Sequence, residues 1–331
     1  MSTHAEIPAR HHAIIAEEVG GPEVLRWTET AVPTPGAGEV LVRTAAAGLN
    51  FIETYQRSGV YAVPHPFTPG SEGSGVVVAL GPGVDEALRG ARVATAAGRG
   101  TYAEHFTAPA DQLLHVPAGV DLADAAALPL QGMTAHYLCR STFPVEPGHV
   151  VALTAGAGGV GLLLTQLAAA RGATVITAAS TEDKRALSAA AGASAAVPYA
   201  ELRQTVLDAT GGEGAHAVFD GVGADTFEDS LASLRVRGTL VLFGGASGQV
   251  PPFDLQRLNS GGGLYVTRPS LAHYTRTAEE TAWRGRELFD AWSAGALDVR
   301  IGARVPLAEA GRAHTLLASR ATTGKVLLPL S

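Results

Sequence analysis

The sequence predicts an α/β protein in two parts, a β-rich first part and a doubly wound, mostly parallel sheet in the second. Three observations carry that prediction. Short extended runs punctuated by Gly and Pro fill the first 130 residues. From about residue 150, strand runs alternate with helical segments of roughly a dozen residues. A glycine cluster, TAGAGGVG at 154–161, stands where the first of those strands meets its helix. The length, 331 residues, suits two domains.

In chain order, HHAIIAEE, EVLRWTET, GEVLVRTAAAG, SGVVVALG, ARVATAA and TYAEHFTAP read as strands of a twisted or barrel-like domain. DLADAAALPLQGMTAHYLCR (121–140) reads as helical, with Asp121 at its cap. VVALTA is then a strand and VGLLLTQLAAARG a helix ending at Gly172. ATVITAAS and TEDKRALSAAAG repeat the unit, as do AAVPY and ELRQTVLDATGG. HAVFDGVG is a strand, DTFEDSLASLRVRG (225–238) a helix and TLVLFGGAS a strand, which together imply right-handed βαβ units. After Pro269 the rhythm changes to a long helix, TAEETAWRGRELFDAWSAG, short strands, a helix near EAGRAHTLLASR and a last strand, KVLLPL.

Composition narrows the function. The net charge is -7 with no long basic run, which disfavours broad binding to nucleic acid. The one cysteine, Cys139, forms no intrachain disulfide and no Cys-based zinc cluster; it reads as a small core residue. The N-terminal stretch lacks an apolar signal region, and His4, His11 and His12 lack metal-ligand spacing. Val150 to Ala170 is 21 residues without a charge, long enough to span a bilayer. Gly156, Gly158, Gly159 and Gly161 at its centre instead break it into strand, turn and helix.

Gly156-Ala-Gly158-Gly-Val-Gly161 matches G-x-G-x-x-G in the context that gives the motif meaning, after a strand and opening a helix. Gly156 allows the turn, Gly158 the approach of a pyrophosphate, and Gly161 the packing of helix on strand. The helix N-terminus offers free N–H groups to phosphate. A tight turn without a ligand is the competing account. The second strand ends in Ala178, Ala179 and Ser180, with no carboxylate for a ribose 2′-OH. Ser180, Thr181 and Lys184 suit a 2′-phosphate instead, unless Glu182 and Asp183 face inward or Lys184 is merely solvated. The expected cofactor is NADPH.

The order of these pieces resembles the medium-chain dehydrogenase/reductase superfamily over nearly the whole chain, and within it the zinc-free, zeta-crystallin-like quinone oxidoreductases. The resemblance rests on GLNFIETYQRSGVY (48–61), PGSEGSGVV (69–77), LQGMTAHYL (130–138), AGAGGVG (155–161), LYVTRPSL (264–271) and SRATTGK (319–325). It implies a GroES-like domain from 1–130 and 270–331, a Rossmann domain from 131–269, and a homodimer joined at Rossmann sheet edges, with TLVLFGG and LYVTRPSL as edge segments. The zinc-dependent relatives carry a ligating Cys in the stretch matching GLNFIET and a His in that matching GSEGSG. Here Asn50 or Phe51, and Ser71, stand there, and no Lewis acid is expected.

By resemblance, Asn50 contacts the nicotinamide or acceptor region, or is a turn residue. Tyr55 and Tyr61 line the acceptor pocket, or are core aromatics. Thr134 contacts the nicotinamide side, or is an ordinary helix residue. Gly158, Gly159 and Val160 supply backbone donors. Ser180, Lys184, Tyr199 and Arg320 form the 2′-phosphate site, with a plain surface arginine the other reading of Arg320. Phe243 and Gly244 lie at the cofactor edge. The implied activity is cytoplasmic NADPH-dependent quinone reduction. The alternatives are an enal, enone or enoyl-thioester reductase, and a nucleotide-binding protein with a structural, sensing or RNA-binding role.

Overall fold

A computed structural model describes residues 7–319 and 321–330. It divides into two compact units. The first takes the chain to Leu130, Thr277–Ala294 and the chain from Ile301; the second takes Gln131–Arg276 and Gly295–Arg300. The chain thus leaves the second unit at Thr277 rather than at 270, and 295–300 stays with that unit. The Tyr274 ring stacks on Tyr137 with centroids 4.4 Å apart. Gln166 clasps Asp298 from both sides, donating to its carbonyl at 3.0 Å and accepting from its N–H at 2.7 Å.

The first unit opens with an antiparallel ribbon, β1 (Arg10–Ala16) on β2 (Leu25–Ala31). Next come β3 (Glu39–Leu49), the short helix α1 (Phe51–Arg57), β4 (Glu72–Leu80), β5 (Arg92–Thr95), β6 (His105–Pro109) and β7 (Leu114–His115). Val40, Val42, Val77, Val93 and Phe106 fill one core, where alternate residues of facing strands point inward.

The helical reading of 121–140 resolves into three pieces. Asp121 accepts from the Asp124 N–H at 3.0 Å and starts a single turn, Asp124–Ala127. Pro129, suited to a first helical position, opens α2 (Pro129–Tyr137), and a π-type turn, Leu138–Thr142, closes it.

The second unit runs β8 (Val150–Leu153), α3 (Gly159–Ala170), β9 (Thr174–Ala178), α4 (Glu182–Ala190), β10 (Ala195–Val197), α5 (Leu202–Ala209), β11 (Ala215–Asp220), α6 (Phe227–Ala232), β12 (Leu234–Leu242), α7 (Gln256–Ser260) and β13 (Tyr265–Thr267). All neighbours in its sheet are parallel, in the order β10-β9-β8-β11-β12-β13. The order reverses between β8 and β11, so the crevice for a ligand lies beyond their carboxyl ends. Two expectations change here. The helix expected over 225–238 ends at Ala232, and LRVRG already belongs to β12, whose bulge carries Arg237 at φ 62°. TLVLFGG is interior, paired on both sides, and only LYVTRPSL reaches the sheet edge.

The chain then forms α8 (Ala278–Ser293), β14 (Ile301–Arg304), α9 (Ala310–Ala318) and β15 (Lys325–Pro329). These complete the first unit, whose main sheet runs β14-β15-β3-β4-β5-β7, with β6 also on β3. A second core there joins Ile14 and Leu49 to Leu307, Ala313 and Leu328. Among the described residues no helix is long and apolar enough to cross a membrane.

Candidate functional site

The glycine loop of the second unit is built from close approaches. A Cβ on Gly161 would stand 2.3 Å from the Ala155 carbonyl oxygen, so α3 rests directly on the loop backbone. A Cβ on Gly156 would meet Thr177 at 2.8 Å. Gly158, the N-cap of α3, is different: the nearest atom to its Cβ would be Ala155 O at 3.2 Å, with nothing else within 4 Å. That open side fits a pyrophosphate, and the free N–H groups of Gly159, Val160 and Gly161 begin the helix behind it. Gln131 packs over Gly159, where a Cβ would lie 1.8 Å from its Oε1. Thr134, one turn further along α2, is buried.

Asp220, at the end of β11, holds the loops of the crevice together and was not singled out by the sequence. It is fully buried and accepts from Thr154 Oγ1 at 2.9 Å, Val222 N at 2.8 Å, Thr226 Oγ1 at 2.8 Å and Ser230 Oγ at 2.7 Å. Dipoles from all sides offset the cost of burying its charge. Its backbone carbonyl receives the Phe243 N–H at 2.9 Å. Gly244 follows where a Cβ would be 2.3 Å from Gly221 O, so Phe243 and Gly244 lie against the Gly221 turn.

The end of β9 carries Ser180, exposed, and the Thr181 hydroxyl that caps α4 by accepting from Lys184 N at 3.3 Å. The Ala179 N–H donates to Val197 O at 3.0 Å, bringing the end of β9 beside that of β10, after which Tyr199 starts a single turn. Arg185, which the sequence reading passed over beside Lys184 in TEDKRA, donates to Ala179 O at 3.3 Å. This edge therefore offers hydroxyls and cations with no carboxylate at the strand end, which fits a phosphorylated ribose. Arg320, the remaining expected member, lies outside the described residues, as does His4.

In the first unit, Tyr55 on α1 and Tyr61 after it meet edge to face with ring centroids 5.4 Å apart. Phe51 stacks on Tyr55 at 6.3 Å. Phe51 and Tyr61 are exposed and Tyr55 half-buried, so together they present an aromatic face.

Asn50 is buried and has a role that the sequence did not reveal. It caps α1, its N–H donating to Glu53 Oε2 at 2.8 Å. Its carboxamide lies between Lys325 Nζ, which donates to Oδ1 at 2.7 Å, and Glu72 Oε2, which accepts from Nδ2 at 2.7 Å. Lys325 also pairs with Glu72, and both are fully buried. Glu72 Oε1 accepts from Leu130 N at 2.7 Å. Burial pushes the Glu53 carboxyl up to about 7, against the pull of Lys325, and its Oε1 has no hydrogen-bond partner among the described residues. Across α1, Arg57 meets His314 Nδ1 at 3.2 Å; burial first, then Arg57, lowers the imidazole to about 3. Glu72 and Lys325 escaped sequence reading because they lie far from Asn50 in the chain. The one local cue was the N-cap spacing of Asn50 and Glu53. Among the described residues no three His, Cys, Asp or Glu side chains group as metal ligands.

Two family models match the chain: alcohol dehydrogenase GroES-like domain over residues 36–118, and zinc-binding dehydrogenase over 159–283. A quinone oxidoreductase of Pseudomonas aeruginosa is 44% identical over 94% of this chain and 97% of its own. A 2-haloacrylate reductase of a Burkholderia species is 38% identical over 96% of this chain and 98% of its own. A mycobacterial protein solved in complex with NADPH is 52% identical, with a TM-score of 0.93 over 96% of this chain and 99% of that one.

Proposed function

Because the chain belongs to the zeta-crystallin-like quinone oxidoreductases of the medium-chain dehydrogenase/reductase superfamily, we propose that it is an NADPH:quinone oxidoreductase. The observation that carries the reading is the second unit's crevice: a glycine loop open only at Gly158, beside a strand end with Ser180 and Lys184 and no carboxylate. The mycobacterial protein bound to NADPH supports the same cofactor.

When bound, NADPH supplies a hydride to the acceptor. The chain's own residues bind and orient the two partners. Gly159 and Val160 hold the pyrophosphate by backbone N–H groups, and Gly158, expected to donate as well, gives its own N–H to Ala155 O at 2.9 Å and contributes open space instead. Ser180, Lys184 and Tyr199 hold the 2′-phosphate. Thr134, Phe243 and Gly244 border the nicotinamide half. Tyr55 and Tyr61 take the flat acceptor ring, one by stacking and the other by its phenol, and close water out around it. Catalysis without zinc belongs to this reading. In the stretches where zinc relatives carry ligands this chain has Asn50 and Ser71, and a buried ammonium, Lys325, bonds to Asn50 and Glu72. The Lys325 side chain thus already occupies the space beside Asn50 and Glu72. A cytoplasmic protein paired with a second copy along β13 also belongs to it, for Tyr265 and Val266 are exposed on that outer strand.

The 2-haloacrylate reductase favours a second reading, reduction of an electron-poor alkene. The test is loss of NADPH and NADH absorbance with benzoquinone, phenanthrenequinone, 2-hexenal and 2-chloroacrylate. Fast turnover of quinones with NADPH and slow use of NADH is the expected result. Turnover with the alkenes alone would replace it by the second reading, and NADPH binding without turnover would leave a nucleotide-binding protein.

A further inference from the structure

Helix α1 carries the aromatic face, yet it is seven residues long and too short to be stable alone. Buried charged groups hold both of its ends. In the first turn, Glu53 receives the Asn50 N–H, while the Asn50 side chain bridges Lys325 and Glu72. In the last turn, Arg57 donates to Gly20 O at 3.1 Å and to His314 Nδ1. A Cβ on Gly48 would lie 2.4 Å from Glu72 Oε2, so the backbone of β3 also leaves room for this carboxylate.

A buried ion pair is a poor means of gaining stability, because well-packed apolar residues of similar volume often serve as well or better. What the pair supplies here is direction. The ammonium has one amide oxygen and one carboxylate to satisfy, and the carboxylate is fixed in turn by Leu130 N and Asn50 Nδ2. The carboxamide therefore has a single orientation, and the helix it caps has a single starting point.

We propose that Lys325 and Glu72 are positioning residues for acceptor binding: their buried pair fixes Asn50 and the first turn of α1, and so holds Tyr55 against Tyr61 in the orientation that receives the acceptor. The proposal rests on the reading that these tyrosines meet the quinone.

The test is the paired substitution Lys325→Met with Glu72→Gln in the full chain, which removes both charges at similar volume and leaves neither unpaired. Three readouts are taken: amide hydrogen exchange, NADPH affinity by fluorescence, and kinetics with benzoquinone. The expected result is exchange about 10-fold faster across α1 with the strands of the second unit unchanged. NADPH affinity stays the same, while kcat/KM for benzoquinone falls about 10- to 100-fold. In a Tyr55→Ala background the pair should cost little further activity, since its effect passes through that ring. Wild-type exchange in α1, or full additivity with Tyr55→Ala, would overturn the proposal. Should the double variant not fold, Lys325→Arg, which keeps the charge and alters its geometry, is read in the same way. A wild-type protein inactive with every quinone would overturn the functional reading alone, and exchange at α1 would still decide the positioning.

Discussion

Glu53 is a carboxyl that keeps its proton to an unusually high pH inside the first unit. Burial raises it from 4.5 to about 7, while Lys325 and the Asn50 N–H pull it down and Glu72 adds to the rise. A raised folded value means that its contribution is fully present below 4.5 and is lost as pH climbs to about 7. The loss amounts to about 3 kcal/mol. Glu53→Gln keeps an acceptor for the Asn50 N–H and cannot ionise. Denaturant melts from pH 4.5 to 7 should therefore be flatter for this variant than for the wild type. At the other end of the chemistry, Lys184→Ala should raise the KM for NADPH several-fold and narrow its preference over NADH by about 1 kcal/mol, the scale of one exposed charged contact. Initial rates with both cofactors check this, and an unchanged ratio would remove Lys184 from the phosphate site. Asn50 stood out in the sequence because its type and place matched a motif. Glu72 and Lys325 did not, because a buried charge is recognised by its partners and theirs lie elsewhere in the chain; Asp220 did not, because its nearby partners, Val222, Thr226 and Ser230, form an ordinary turn-and-helix stretch until burial makes their bonds to it count.

At the scale of elements, the glycine loop separates two roles that one motif contains. Gly161→Ala drives a methyl into the Ala155 and Gly156 carbonyls, so it should cost about 1–3 kcal/mol of stability as well as NADPH binding. Gly158→Ala meets only Ala155 O at 3.2 Å and should leave the melting temperature nearly unchanged while NADPH affinity falls. Thermal melts with and without NADPH distinguish the two. The strands and helices of the second unit were legible because strand runs and amphipathic runs alternate there with glycine stops, as at Gly172 and Gly192, both at positive φ. The sequence was silent where periodicity is short. LRVRG sits next to a helix of six residues and could extend it; pairing with β11 draws it into β12 instead. The break of 121–140 turns on Pro129, a helix breaker in the sequence that the continuous helical reading passed over.

For the molecule as a whole, the two units differ in how their sheets end. The six-stranded sheet finishes at β13, a three-residue strand whose Tyr265 and Val266 are exposed. Val266→Lys places a charge on that outer strand and should convert the proposed pair of copies into single chains in sedimentation, with NADPH still bound. Interior strands of either sheet could be assigned from composition. Which one lies at the edge depends on pairing, and that is why TLVLFGG was misplaced.

The first unit's sheet has another property, one of timing. Strand β15 lies between β14 and β3, and its Lys325 follows Glu72 by 253 residues. On a ribosome, β3, β4 and α1 emerge long before the strand that completes their sheet and the cation that neutralises their carboxylate. The second unit, encoded almost wholly between them, is finished first. A chain cut short before Lys325 would thus carry an intact nucleotide crevice in one unit and, in the other, an aromatic helix with its anchor missing, a protein able to hold its reductant but poorly able to spend it.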